Sequence, residues 1–348
     1  MKATKELKQP ILGTKNKNKT KLFWMIIIFG FVALALLMMY SITKGAANIS
    51  IYTVRDALLN FDSNNSKHLT IIDLRLPRVV ASALVGSAFA VSGAIMQGMT
   101  QNPLSEPGIM GINAGSVFAI SICFAFYPGI GYMQIILFSF LGAAFGAMLV
   151  NGVGYIRRGG VTPARLVLAG VAVNALLTSL SQGIALGFGV AQNMMFWTVG
   201  GLAGSNWDQV QIIFPLITVA LLGAIFLSPY ISMLSLGEDV AKGLGLNMIV
   251  TNTLCSIIVL ILAGSSVSVV GAVGFVGLIV PHISRFLVGI DYRRIIPSSA
   301  VLGAILMVLA DLGARMINPP FETPIGALIS LIGVPFFLYL SSKKRSRC

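Results

Sequence analysis

Apolar positions run along this chain in long blocks; they do not alternate with polar ones. Stretches without a charged residue cover 22–43, 79–105, 107–156, 166–207, 209–237, 243–284, 295–310 and 323–342. A helix needs roughly 20 apolar residues to cross a bilayer. Blocks that are apolar on every side are helices that meet lipid or other helices all round. Two blocks are long enough for two spans each. The first, 107–156, is broken near Tyr127-Pro-Gly129-Ile-Gly131, and the second, 243–284, near Gly264-Ser-Ser266. In 166–207 one span leads into a Gly-rich piece from Trp197 to Trp207 that suits the headgroup level. The block 295–310 is short and borrows residues around Asp311. The pattern predicts an all-α polytopic membrane protein of ten transmembrane helices. The predicted parts are a basic tail over 1–21, one transmembrane domain over 22–342 and a short basic tail over 343–348.

Composition agrees with that class: of 348 residues, 56% are hydrophobic and only 10% charged. Charge then orients the spans. With ten spans, Lys44, Arg55, Lys67, Arg75, Arg78 and Arg315 fall on one side, and every other Lys and Arg falls on the side of the termini. The positive-inside rule makes that side, and both termini, cytoplasmic. The net charge of +13 is this bias; basic residues scattered among membrane loops do not form a nucleic-acid surface. Lys2, Lys5, Lys8, Lys15, Lys17, Lys19 and Lys21 precede the first block as in a signal peptide. That block is longer than a usual signal core, however, so an uncleaved first helix is expected despite Gly45-Ala-Ala47.

Several chemistries are missing from the sequence. Cys123, Cys255 and Cys348 are widely spaced, and His68 and His282 are the only histidines, so no disulfide framework, metal site or bound cofactor is expected. There is no phosphate-cradling GxxxxGK[ST], no HExxH and no nucleophile elbow. Only 11 carboxylates exist, mostly in loops. No catalytic residue is assigned, and any energy must come from a partner or an ion gradient.

Four constellations remain. Arg75-Leu-Pro-Arg78 opens a charge-free span, and Arg315 lies at another outer corner. Such arginines either snorkel to the interface, with Asp73, Asp311 and Glu322 as local partners, or form forks for a docking partner's carboxylates. The inner loop 229–248 carries Gly237, Gly243 and Gly245 between short helical pieces. Its apolar patch of Leu234, Leu236, Val240, Ala241 and Leu244 sits beside Glu238, Asp239 and Lys242. A membrane-surface helix is usually rich in Lys and Arg; with one Lys, this loop suits a protein groove better. In Gly271–Arg285, glycines 271, 274 and 277 allow close helix approach and Pro281 kinks the span. There His282 is either a catalytic residue or ligand or, as preferred, a hydrogen-bonded tether to an inner loop. Last, Asn174, Thr178, Ser181 and Gln182 recur on one helical face, as the lining of a wet path or as interhelical glue.

Ordered blocks over about 70–340 resemble the FecCD/BtuC-type permease family, the membrane subunits of ABC importers for iron-siderophores, haem and cobalamin. The blocks are Arg75-Leu-Pro-Arg78; Ser92-Gly-Ala-Ile-Met-Gln97; Asn102-Pro103-Leu-Ser-Glu-Pro107-Gly108; and Leu236-Gly-Glu238 with Leu244-Gly-Leu246. They continue with Gly274-Phe-Val-Gly277-Leu-Ile-Val-Pro281-His282; Ala310-Asp311-Leu-Gly-Ala-Arg315; and Glu322-Thr-Pro324-Ile-Gly326 with Ile332-Gly-Val-Pro-Phe336. Ser105 stands where relatives often carry Ala. Arg285, just after His282, is grouped with these motif residues. The resemblance implies a multi-pass permease of the cytoplasmic membrane that dimerises with a second copy or a paralogue on two ATPase subunits. It also implies a substrate-binding protein outside, of lipoprotein type, and a ferric chelate as cargo. By position, Arg75, Arg78 and Arg315 match arginines that meet glutamates of the binding protein. Leu236, Gly237, Glu238, Ala241, Gly243 and Gly245 fall in the element that couples to the ATPase. The family's fifth helices face the dimer pathway, which favours the path reading of the Asn174–Gln182 stripe. The 102–108 knot is read as a structural cap beside the coupling loop. Cobalamin or haem import is the alternative cargo. An ion-coupled secondary transporter is the rival class, and it would need intramembrane acids that the spans scarcely offer.

Overall fold

The computed structural model describes residues 12–45, 49–155, 163–199, 201–319 and 321–345. Among these the chain is all-helical, without a strand. The helices are α1 (Leu12–Thr43), α2 (Ile51–Leu59), α3 (Ser66–Leu69), α4 (Leu76–Met99), α5 (Ile112–Phe126), α6 (Tyr132–Tyr155) and α7 (Pro163–Gly187). They continue as α8 (Ala191–Val199), α9 (Trp207–Leu234), α10 (Glu238–Gly243), α11 (Met248–Val270), α12 (Val276–Val288), α13 (Tyr292–Met316) and α14 (Ile325–Arg345). A π-helical turn over Thr70–Arg75 leads into α4, and a 3-10 turn over Pro107–Met110 precedes α5. Helix α1 starts at Leu12, so the second half of the basic tail is helical. Residues 1–11 and 346–348, including Cys348, lie outside the described residues, as do Arg157 and Arg158.

Among the described residues seven helices are long and apolar enough to cross a membrane: α1, α4 with its lead-in, α6, α7, α9, α11 and α13. Shorter apolar helices are α5, α12 and the Ile325–Leu338 part of α14. Their starts follow from the sequence. Asn206, Asn247 and Asp291 accept the backbone N–H groups of Gln209, Val250 and Arg293 at the first turns of α9, α11 and α13. Pro77 fits the first turn of α4, where its missing N–H costs nothing. Tyr127–Gly131 breaks the 107–156 block as expected, between α5 and α6.

The second expected break is corrected. Ser265 and Ser266 lie inside α11, their hydroxyls donating to the Ile261 and Leu262 carbonyls one turn back. That back-bonding satisfies a hydroxyl inside an apolar helix. The helix ends at Gly271, which takes a left-handed φ of 77° and whose missing Cβ leaves room for the Thr198 carbonyl. Gly274 therefore lies in an irregular link and takes no part in a helix contact.

Helix α4 is the axis of the fold, buried along most of its length. It touches α13 where Gly86 and Gly303 abut backbone to backbone, and α12 where Gly93 meets Gly277. A Cβ at any of these four would fall onto the facing backbone, so small residues set the spacing. The outer surface inverts the soluble pattern: Ile28, Phe29, Phe31 and Leu36 on α1 and Leu168, Val171 and Leu176 on α7 are more than half exposed. Such faces suit lipid or another membrane helix.

Candidate docking and coupling sites

One cluster sits where α4 begins, at the end of the bundle shared by the C-termini of α1 and α13 and the start of α14. Arg78 donates from Nε to Asp311 Oδ1 at 2.8 Å and from both terminal nitrogens to the two Glu322 oxygens at 2.5 and 3.1 Å. Asp311 is fully buried and is held from its other oxygen by Arg315 at 2.9 Å. Arg315 also donates to the Lys44 and Ser41 carbonyls at 3.0 and 3.3 Å, and Arg75 donates to the Ile42 carbonyl at 2.6 Å. Arg75 and Arg315 thus serve carbonyls at the C-terminal end of α1, where a helix leaves acceptors unpaired and its dipole favours cations. The three sequence-predicted arginines do come together, each only 8% exposed. Asp311 and Glu322 pair with Arg78, and Asp311 also with Arg315. Asp73 is exposed on the π-helical turn and has no described bond to them.

The second cluster lies toward the far end of α4, about 28 Å away at 1.5 Å per residue. Arg285 on α12 donates to Gln97 Oε1 at 2.7 Å and lies 3.5 Å from the Tyr292 hydroxyl. Gln97 Nε2 donates to the Gly277 carbonyl at 3.1 Å. Tyr292 donates its backbone N–H to Ser232 Oγ at 3.0 Å, and Ser232 donates to Asp291 at 3.2 Å. Helices α4, α9, α12 and α13 are joined through this chain. The tether expected of His282 belongs instead to Arg285: the His282 ring packs edge-on against Phe336, centroids 5.8 Å apart. Pro281 sits within α12, and its neighbours leave the helix continuous to Val288.

Ser232 stands one turn from the loop at 235–247. There Leu236, Val240 and Leu244 are each about half exposed or more, and α10 carries an exposed Glu238–Lys242 pair at 2.9 Å that raises the lysine's pKa. Leu234 and Ala241 do not belong to the open patch: at 1% and 0% exposure they anchor α10 to the body. Gly237 opens α10 with a φ of 114°, and Gly243 and Gly245 close it in open space. Beside this loop lies the 102–108 knot. Gln101 donates to the Leu234 carbonyl at 3.3 Å, and Asn102 accepts from the Leu104 N–H at 3.0 Å. Ser105 is buried with its Oγ 2.7 Å from the Thr100 hydroxyl. Pro103 sits in the turn that follows Asn102. Pro107 abuts Gly277, and the Gly108 carbonyl accepts from Asn174 at 3.1 Å. Glu106 accepts the Phe275 backbone N–H at the start of α12; burial pushes its carboxyl up, against the pull of that bond.

The stripe on α7 divides. Asn174 is bound to the knot and Ser181 is buried, its hydroxyl on the Leu177 carbonyl; Thr178 and Gln182 are exposed. Pro324 and Gly326 mark the start of α14. Pro324 joins Arg78, Glu322, Gln192, Met195, Phe196 and Leu202 around a cavity of 560 Å³. Among the described residues no three His, Cys, Asp or Glu come together as metal ligands.

Residues 31–343 match the model of the FecCD transport family. The chain belongs to the FecCD transport family. It is 52% identical, over 92% of its length and 83% of the relative's, to the iron(3+)-hydroxamate import system permease protein FhuB of Bacillus subtilis (strain 168). It is 42% identical, over 92% and 96%, to the iron-uptake system permease protein FeuB of the same organism. A solved structure of a metal-chelate type ABC transporter in an inward-facing conformation superimposes with a TM-score of 0.80 at 28% identity, covering 91% of this chain and 99% of that one.

Within this FecCD member, sequence reasoning gave no role to Gln97, Ser232, Asp291 or Tyr292. Gln97 carried a usable signal, an amide side chain alone among apolar residues late in a span. Ser232 and Tyr292 carried none, because their meeting depends on how α9 and α13 pack.

Proposed function

We propose that the chain is the permease subunit of an ATP-driven importer that moves ferric hydroxamate-type siderophores across the cytoplasmic membrane by alternating access. The observation that carries this reading is the 52% identity to FhuB across 92% of the chain. In it, α5, α12 and α14 cross the membrane with the seven longer helices, for ten spans with both termini cytoplasmic. The positive-inside distribution of Lys and Arg supports that orientation. The permease pairs with a second copy or a paralogue on two ATPase subunits, which hydrolyse the ATP. The exposed loop residues Leu236, Val240 and Leu244 enter an ATPase groove. The cluster of Arg75, Arg78 and Arg315 receives carboxylates of an extracellular binding protein, and Thr178 and Gln182 face the path between the two permease copies.

The test is complementation. The gene, with those of its ATPase and binding protein, is placed in a strain lacking its own hydroxamate importers, and uptake of radiolabelled ferric hydroxamate is followed. Restored uptake that needs all the components supports the proposal; uptake of cobalamin or haem instead would replace the cargo and leave the permease role.

A further inference from the structure

Arg78 holds two carboxylates that differ in kind. Asp311 lies on packed α13, is fully buried and is shared with Arg315. Glu322 lies on the connection between α13 and α14, its side chain 41% exposed, and it occupies both terminal nitrogens of the guanidinium. That planar fork is the part of an arginine best suited to a carboxylate. Arg78 and Glu322 also form one wall of the 560 Å³ cavity, whose other walls include Met195 and Phe196, each more than two-thirds exposed. A carboxylate arriving from the cavity therefore finds its natural seat already taken, by a residue that has water on its other side.

We propose that Glu322 is an exchangeable placeholder: it fills the outward fork of Arg78 in the undocked permease and yields it to a carboxylate on a loop of the docking protein. The inference rests on the docking role proposed above. Exchanging one carboxylate for another keeps every Arg78 nitrogen paired, whereas opening without a replacement leaves both terminal nitrogens of a buried guanidinium without acceptors, with Asp311 on Nε alone, which is unfavourable. Release of Glu322 is thereby linked to docking. It loosens the tie between α4 and the start of α14, while the Thr323 N–H on the Ala314 carbonyl and the Asp311 pair keep the rest of the corner in place. The occupant is a protein carboxylate flanked by apolar residues, since the cavity walls offer apolar contact beside the cationic seat.

Linkage is reciprocal: if docking expels Glu322, weakening the Glu322 pair must strengthen docking. The experiment uses the complete permease–ATPase complex in lipid nanodiscs and its labelled binding protein. Dissociation constants are measured for the wild type, Glu322→Gln, Glu322→Asp and Arg75→Glu/Arg78→Glu, with monodispersity checked for each. Glu322→Gln is expected to bind roughly tenfold tighter, with Glu322→Asp between it and the wild type. A spin-label pair at Leu76 and Ala327, on α4 and α14, is expected to separate on docking. Unchanged or weaker binding by Glu322→Gln overturns the placeholder, and if the Arg75→Glu/Arg78→Glu protein has lost binding the docking role stands without it. Wild-type binding by the doubly reversed protein overturns the docking role and the placeholder together.

Discussion

Asp311 shows how much one side chain carries in this membrane domain. It is fully buried between two arginines, Arg78 and Arg315, and replaces water for both. Asp311→Asn keeps the shape and removes the charge, leaving buried Arg315 without a carboxylate and Arg78 with Glu322 alone. Breaking a buried pair in this way costs about 3–5 kcal/mol. The expected outcome is a lower melting temperature and less folded protein in detergent extracts. Wild-type melting would mean that the arginines find water. Glu106 belongs to the same scale. Burial raises its pKa, so the protonated form is favoured in the fold. Its contribution to stability is fully present below the ordinary carboxylate range and is lost as pH rises through the raised value. Glu106→Gln keeps a neutral acceptor for the Phe275 N–H. Melting temperature plotted against pH should therefore lose that downward slope in the variant, and an unchanged slope would assign it to other carboxyls.

At the scale of elements, the segment from Leu234 to Leu244, with α10 at its centre, separates anchoring from presentation. Ala241 and Leu234 face the body, while Leu236, Val240 and Leu244 face out. Leu236→Asp should leave the fold and its melting temperature unchanged but reduce ATPase co-purification several-fold. Ala241→Leu should instead lower stability by about 1–3 kcal/mol through overpacking. Equal effects of the two on melting would deny the division. The elements also show what was legible in the sequence. The helical class and the break at Tyr127–Gly131 follow from where charge and Pro/Gly occur. The break expected at Gly264–Ser266 fails because serine hydroxyls bond back to their own helix. The true end at Gly271 carries the local mark of a C-terminal glycine, and the close Thr198 carbonyl that also requires it is a tertiary fact.

At the scale of the whole molecule, two polar clusters lie at opposite ends of α4, and the backbone-to-backbone seams Gly86–Gly303 and Gly93–Gly277 lie between them. The arginines of the first cluster were legible because a pair flanking a proline at the mouth of a long charge-free span stands out. Their internal partners were harder to read: Asp311 and Glu322 were only candidates, and the α1 carbonyls carry no side-chain signature. The second cluster stayed hidden because Gln97, Ser232 and Tyr292 meet only after four helices pack. Helices joined so tightly along one axis move as a body, which fits rocking of two permease halves better than an ion relay, for which the spans supply few acids.

The central claim is ATP-driven import of a ferric chelate, and transport by the purified, reconstituted complex tests it most directly. Proteoliposomes containing the permease, its partner permease where one exists and its ATPase are given ferric hydroxamate loaded on the binding protein, with ATP on the ATPase side. The account predicts accumulation that requires ATP and the binding protein and persists when ion gradients are collapsed. Accumulation driven by a proton or sodium gradient without ATP would contradict it.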